Sequence, residues 1–395
     1  MQKRKIAIFT GNRAEYGMQY PIIKAIAKDK RFKYYLLVSG AHLDEKFGRT
    51  INEIENDGFD IYAKTDIFIK GDSLFDTAQA IGKGILNISK ILKKIKPNVF
   101  IVYADRFESF AAMIAGTQMG IPTAHVEGGD ITEGGALDDM VRHAMGKLAH
   151  IHFTTNEQAS FRLKKMGEEP WRIFTAGLPA IDLIKEGKYA SSKLLERKYN
   201  ISVQRPLVVC TQHSIATEFK NAIRQVRPVL SALLRLDKEG VQVIMTFPNN
   251  DAGGIRIMRE IERIIKHKKS SIQVFKSLGR FDYHGLLNIC GRVGRGVCVG
   301  NSSSGIKETA IFGCPVVNIG NRQKGRLRAD NVIDVGYSEG QIYNAIKKCL
   351  EDENFRKKCS RCHNPYYRGG AGKKITGILA KIPLNLRLIQ KKLTY

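Results

Sequence analysis

Acidic side chains and one histidine stand where short apolar runs of this chain give way to polar or glycine-rich turns. Asp105 follows Val99-Phe100-Ile101-Val102, Glu127 follows Pro122–Val126 and precedes Gly128-Gly129, and Asp138-Asp139 opens a helical stretch. His213 follows Pro206–Cys210. Carboxylates and a histidine gathered in one site can do general acid–base work once burial and crowding raise a carboxyl pKa. Each acid alone is as readily a helix cap or an ion-pair partner, whereas their joint placement points to proton transfer. His143, His150 and His152 read as packing or hydrogen-bonding groups, the first two sharing a helix face. No close-spaced set of His and acidic ligands recurs, so neither a metal nor a cofactor is expected.

A second set of residues suits phosphate. Gly300-Asn-Ser-Ser-Ser-Gly305 lies between an apolar run and a helical stretch from Ile306 to Phe312. A helix N-terminus offers unpaired N–H groups, and Ser302 and Ser303 add hydroxyls. The Gly-Lys-Ser/Thr ending of a Walker loop is absent. Glu308, one turn further on, could accept hydrogen bonds from ribose hydroxyls, or simply sit as a first-turn carboxylate. Gly11-Asn-Arg-Ala-Glu-Tyr-Gly17 forms a matching turn earlier in the chain, with Arg13 suited to a phosphate. Two such turns without a Gly-x-Gly-x-x-Gly fingerprint suit a nucleoside diphosphate-sugar better than a dinucleotide.

Alternating strands and helices must position these groups. Strands are expected at Ile6–Phe9, Tyr34–Val38, Val99–Val102, Pro122–Val126 and Ile151–Phe153, with helices from about Pro21, over 80–95 and over 137–149. After a lysine-rich stretch near 185–200 the alternation restarts at Pro206–Cys210, Val241–Met245, Gly296–Val299 and Pro315–Ile319. This pattern predicts an α/β protein with two doubly wound, Rossmann-like domains facing a cleft. In such sheets ligands sit beyond the carboxyl ends of the strands, where the residues above fall.

The composition bounds the rest. The 395 residues carry 64 Lys+Arg against 38 Asp+Glu, a formal charge of +26, with 43% hydrophobic residues. That is an ordinary globular composition with room for two cores. The basic N-terminus precedes too short an apolar run for a signal peptide, and no run approaches membrane-span length, so a cytoplasmic protein with no membrane partner is expected. Seven cysteines then read as reduced thiols, and Cys359-Ser-Arg-Cys-His363 as a chance match to a haem-attachment spacing. The charge invites a nucleic-acid reading. However, residues 341–395 hold 13 Lys+Arg against 3 acids, and residues 256–280 hold 8 against 2. In the second stretch Ile257, Ile261, Ile264 and Ile265 interleave with Arg256, Arg259, Arg263 and Lys266, an amphipathic helix with a wet basic face. With no interleaved aromatic stripe, no nucleic-acid partner is expected.

In this order, the motifs resemble those of the hydrolysing UDP-N-acetylglucosamine 2-epimerases of sialic acid biosynthesis. The matching segments are Gly11–Gly17, Ala104-Asp-Arg106, His125-Val-Glu-Gly-Gly129, Asp138-Asp-Met-Val-Arg-His143 with Lys147-Leu-Ala-His150, Gly300–Gly305 and Asn318–Arg326. Val126-Glu-Gly-Gly129 and the Arg142-His143 ending are similar to the hydrolysing branch rather than the non-hydrolysing one. The stretch Asp130–Leu137 is slightly longer than in enzymes acting on plain UDP-N-acetylglucosamine, which leaves room for a diacetylbacillosamine nucleotide, as in legionaminic acid pathways.

The resemblance implies a glycosyltransferase-B type fold: residues 1–188 on the sugar side, 189–365 binding the nucleotide, and a C-terminal helix in 366–395 returning to the first domain. It implies removal of the sugar C2 proton, elimination of the nucleotide to a glycal, and water addition to give the free manno sugar. Asp105, Glu127, Asp138, Asp139 and His213 would be catalytic. Arg13, Gly17, Arg106, Asn249, Ser302, Ser303, Glu308 and Arg322 would hold the nucleotide, with Phe281 and His284 near its base. A homodimer is implied as well. A glycosyltransferase of the same fold is the rival reading, since fold alone does not decide chemistry.

Overall fold

A computed structural model describes residues 3–45, 48–69, 71, 73–132, 137–249, 251–267 and 270–395. The chain forms two compact units. The first takes in Met1–Ile131, Leu137–Leu183 and Tyr366–Tyr395, and the second is built around Ile184–Pro365.

The first unit holds seven strands, β1 (Arg4–Thr10), β2 (Phe32–Ser39), β3 (Ile61–Thr65), β4 (Val99–Tyr103), β5 (Thr123–Val126), β6 (Ile151–Thr154) and β7 (Ile173–Thr175). They pair in the order β3-β2-β1-β4-β5-β6-β7, every neighbour parallel. Central strands buried on both faces read as continuous apolar runs, which is why β1, β2, β4 and β5 are legible in the sequence. The edge strands β3 and β7 are half-exposed and went unanticipated.

The second unit repeats the plan with β8 (Leu207–Thr211), β9 (Gln242–Thr246), β10 (Gln273–Phe275), β11 (Gly296–Gly300), β12 (Val316–Ile319) and β13 (Val332–Val335). Their order is β10-β9-β8-β11-β12-β13, again parallel throughout. In each unit the first strand lies beside the fourth, so the strand order reverses between β1 and β4 and between β8 and β11. Those switch points are where doubly wound sheets bind ligands. Both units are therefore Rossmann-like α/β, as expected.

Helices cover both faces. The helix Gly254–His267 buries Ile257 and Ile261 and exposes Arg256, Arg259 and Arg263, the expected amphipathic split. Residues 371–381 form a helix packed in the first unit, where Arg4 donates to the carbonyls of Leu379 and Ile382. One boundary differs from expectation. The first helix begins at Arg13, not near Pro21, because the Asn12 side chain accepts from the Glu15 N–H as an N-cap. Pro21 lies inside it. Among the described residues no helix is long and apolar enough to cross a membrane.

Candidate active site

In the first unit, the ends of β4 and β5 are tied together, the Ala104 N–H donating to the Val126 carbonyl. Both exits use left-handed backbone at non-glycine residues, Ala104 at φ 56° and Glu127 at φ 71°. Such conformations are uncommon outside glycine and persist only where surrounding structure imposes them. Two fastenings do so here. The Glu127 N–H donates to the Phe153 carbonyl at 2.8 Å. His125, fully buried, donates from Nε2 to the Ala104 carbonyl at 2.6 Å. Since a carbonyl only accepts, that nitrogen carries the proton. Burial above all pushes the His125 pKa down to about 4, so the ring is neutral at physiological pH. Gly128 rests against the other side of the ring, where a Cβ would stand 2.7 Å from Nδ1.

Asp105 and Asp139 converge on one cation. The helix Asp138–Leu148 carries Asp138 and Asp139 in its first turn, and Arg142, one turn on, is buried. The Arg142 guanidinium donates to Asp139, to Asp105 and to the Asp130 carbonyl. Three expected catalytic acids thus lie at the β4 exit and on one helix end, and Glu127 lies at the next strand exit. In the sequence Arg142 stands out only as part of a motif. Its place three residues after Asp139, on the same helix face, was the available signal. Residues 133–136, within the stretch expected at the sugar, lie outside the described residues.

The turn after β1 is fastened by acids of its own. Glu15 accepts from the Gly11 N–H at 3.1 Å and from Ser109 at 3.0 Å. Burial and the neighbouring Glu108 raise its pKa to about 8. Arg106, also buried, donates to Glu108. Arg13 and Gly17 both lie in the helix, at its first residue and one turn on, so Gly17 is not part of a turn. His150 lies beyond the end of the Asp138–Leu148 helix, not on it. Its Nδ1 accepts from the Thr123 N–H at 3.1 Å, while His152 donates from Nε2 to buried Glu168 at 3.1 Å.

In the second unit, His213 follows β8 and is locked into one tautomer. Its Nδ1 accepts from the Asn249 N–H at 3.0 Å, so the neutral ring presents Nε2–H as a donor. Its backbone N–H and carbonyl are both engaged by the side chain of buried Asn301, at 2.7 and 2.9 Å. The Asn301 carbonyl in turn accepts from Arg322 and Gln323. Asn301 is therefore the joint between the exits of β8, β11 and β12, a role its place in a Gly-Asn-Ser run did not disclose. Gly300, at φ 118°, brings this joint against β8, and any side chain there would strike the Thr211 carbonyl.

Ser302 caps no N–H with its side chain, and Ser303 opens the short helix Ser303–Lys307. The helix breaks at Glu308 rather than running to Phe312, with a separate turn over Thr309–Phe312. Glu308 is buried and accepts from Ser304 at 2.6 Å and His284 at 3.1 Å. Burial works to raise its pKa, but His284, Ser304 and Lys307 outweigh it and the net shift is downward. Glu308 and His284 are thus brought together. Phe281 is 46% exposed, so it is not core. Among the described residues no cluster of His, Cys, Asp or Glu has the form of a metal site.

A family model described as UDP-N-acetylglucosamine 2-epimerase matches residues 24–380. The UDP-N,N'-diacetylbacillosamine 2-epimerase (hydrolyzing) of Legionella pneumophila is 32% identical over 388 residues, 98% of each chain. The GDP/UDP-N,N'-diacetylbacillosamine 2-epimerase (hydrolyzing) of Campylobacter jejuni is 32% identical over 356 residues, 90% of each. Among solved structures, the UDP-GlcNAc 2-epimerase of Neisseria meningitidis bound to UDP-GlcNAc shares the fold, with a TM-score of 0.79 at 18% identity over 96% of this chain and 100% of that one. The chain belongs to the UDP-N-acetylglucosamine 2-epimerase family, in its hydrolysing branch.

Proposed function

We propose that this protein cleaves a nucleoside diphosphate from a 2-acetamido sugar nucleotide with inversion at C2, releasing the free manno-configured sugar. The observation that carries this reading is near-full-length similarity to two hydrolysing epimerases, supported by Asp105 and Glu127 standing just past the ends of two neighbouring parallel strands. The sugar substrate is UDP-N-acetylglucosamine or a UDP- or GDP-diacetylbacillosamine. The names of both 32%-identical relatives favour the second, which would put the enzyme in legionaminic rather than sialic acid synthesis.

Arg142 binds Asp105 and Asp139, which orient the sugar, with Asp138 beside them. Glu127, fixed on left-handed backbone, moves the C2 proton. As the C1–O bond breaks, its electron pair leaves on the diphosphate and a C1=C2 glycal forms. His213 donates its Nε2 hydrogen to the departing phosphate, and Arg13, Arg106 and Arg322 balance the growing charge. Ser302, Ser303 and Asn249 hold the diphosphate, Glu308 and His284 the ribose, and Phe281 the base; Gly17 lets the helix pass close to the ligand. Water then adds at C1 while C2 is protonated on the opposite face. Residues 1–188 would handle the sugar and 189–365 the nucleotide, in a homodimeric cytoplasmic enzyme.

Incubation with UDP-N-acetylglucosamine and with UDP- and GDP-diacetylbacillosamine in deuterated water tests this. The expected result is nucleoside diphosphate release without an acceptor and one deuteron at C2 of the product. No release from any of the three sinks the proposal, and a requirement for an acceptor sugar would make the protein a glycosyltransferase.

A further inference from the structure

The basic C-terminal tail has no place in the chemistry above, yet one of its lysines is inserted into the first unit. Lys391 Nζ donates to the carbonyls of Lys147 and Ala149 at 2.7 Å each and of Gly146 at 3.4 Å. These lie at the C-terminal end of the helix Asp138–Leu148, where carbonyls have no intrahelical partner. The Ala149 N–H serves Met145 and the Thr117 hydroxyl serves Leu148, so Lys391 completes the capping of that helix end. The same ammonium pairs with Glu168 at 2.7 Å. Glu168 is fully buried, forms an ion pair with Lys147 as well and accepts from His152.

The tail is fastened just upstream. Arg172, wholly buried, donates to the carbonyls of Leu388 and Arg387 at 2.6 Å and of Gln390 at 3.3 Å. Both Arg172 and Arg387 lie over the Trp171 ring, with guanidinium carbons 4.3 and 4.8 Å from its centroid.

The opposite end of the capped helix carries Asp138, Asp139 and, through Arg142, Asp105. A second route leads the same way. His152 lies in register beside His125, whose Nε2–H holds the Ala104 carbonyl next to Asp105. We infer that the C-terminal tail is a positioning element of the catalytic centre, with Lys391 fixing the helix that presents Asp138, Asp139 and Arg142. This rests on the function proposed above for those acids. The cation sits at the negative end of the helix dipole and removes the axial freedom that a frayed last turn would allow.

The test substitutes Lys391→Met in the full chain and reads kcat and KM for nucleoside diphosphate release well below the thermal midpoint. The expected result is a kcat lower by about tenfold, the order a well-placed helix-terminal cation is worth. KM should be unchanged, and Lys391→Arg should restore most of the loss. Hydrogen exchange of residues 141–148 should quicken along the whole hydrogen-bonded helix, including Val141 and Arg142 at its acidic end, a readout that does not depend on turnover. Wild-type kcat in a folded Lys391→Met protein, or exchange altered only in the last turn, overturns the inference. Should Lys391→Met not fold, Lys391→Gln, which keeps two N–H donors without the charge, carries the same comparison. A wild-type enzyme that releases no diphosphate from any sugar nucleotide would refute the proposed function, while the exchange result would still decide the role of Lys391.

Discussion

Glu127 and His213 make separable claims about chemistry. Glu127→Gln preserves shape and removes the proposed proton-transfer group, so turnover should drop by about 10²-fold or more while nucleotide binding, measured by calorimetry, survives. Unchanged turnover would remove Glu127 from the mechanism. His213 presents Nε2–H because Asn249 occupies Nδ1. Gln places its amide nitrogen near the former Nε2 and Asn near Nδ1, so His213→Gln should retain clearly more kcat than His213→Asn. Equal rates would contradict the tautomer argument. Glu15 makes a claim about stability. Burial and Glu108 raise its pKa to about 8 from an ordinary 4.5. A carboxyl raised on folding contributes stability that is present below its unfolded pKa and lost as pH rises through the folded one. Glu15→Gln cannot ionise, so its thermal midpoint relative to wild type should climb between about pH 5 and about pH 9. A constant difference would mean that Glu15 does not carry the shift.

Elements convert these residues into a site, and glycine spacing at the β5 exit is one place where packing decides. At Gly128 an added Cβ would stand 2.7 Å from His125 Nδ1. Gly128→Ala should therefore displace the ring from the Ala104 carbonyl, with a cost of about 1–3 kcal/mol in denaturant unfolding and a lowered kcat. Wild-type stability would show that His125 is not clamped. The sequence made β1, β4, β5, β8 and β11 legible because strands buried on both faces must be continuously apolar. It hid β3, β7, β10 and β13, whose short, partly exposed segments carry no such run. It misplaced the first helix start because Pro21 is a strong local signal, whereas the Asn12 cap is visible only as one polar residue among several. The acids at strand exits could be read from position. Arg142 as their shared partner could not, because Asp105 lies 37 residues away in the chain.

For the whole molecule, a charge of +26 first suggested a polyanionic partner, and the structure finds other uses for part of it. Arg142 binds two acids, Arg172 holds four carbonyls, and Lys391 caps a helix on buried Glu168. If the second unit holds the nucleotide, UDP at about a hundred times its Kd should stabilise the fold by about 2.7 kcal/mol, read as a rise in thermal midpoint. No rise with UDP, nor with GDP in its place, would refute nucleotide binding.

The sequence by itself determined the two parallel α/β sheets, the strand exits at which chemistry would lie, and the family. It could do so because buried strands, glycine turns and ordered motifs are local patterns. Only the tertiary structure decided which partners those groups have: Arg142 between Asp105 and Asp139, Asn249 on His213, His284 on Glu308, and Lys391 on the far end of the helix that bears the acids. Apart from Arg142 with Asp139, three residues apart on one helix, those pairings join residues distant in the chain through hydrogen bonds whose geometry exists only once the sheets have formed.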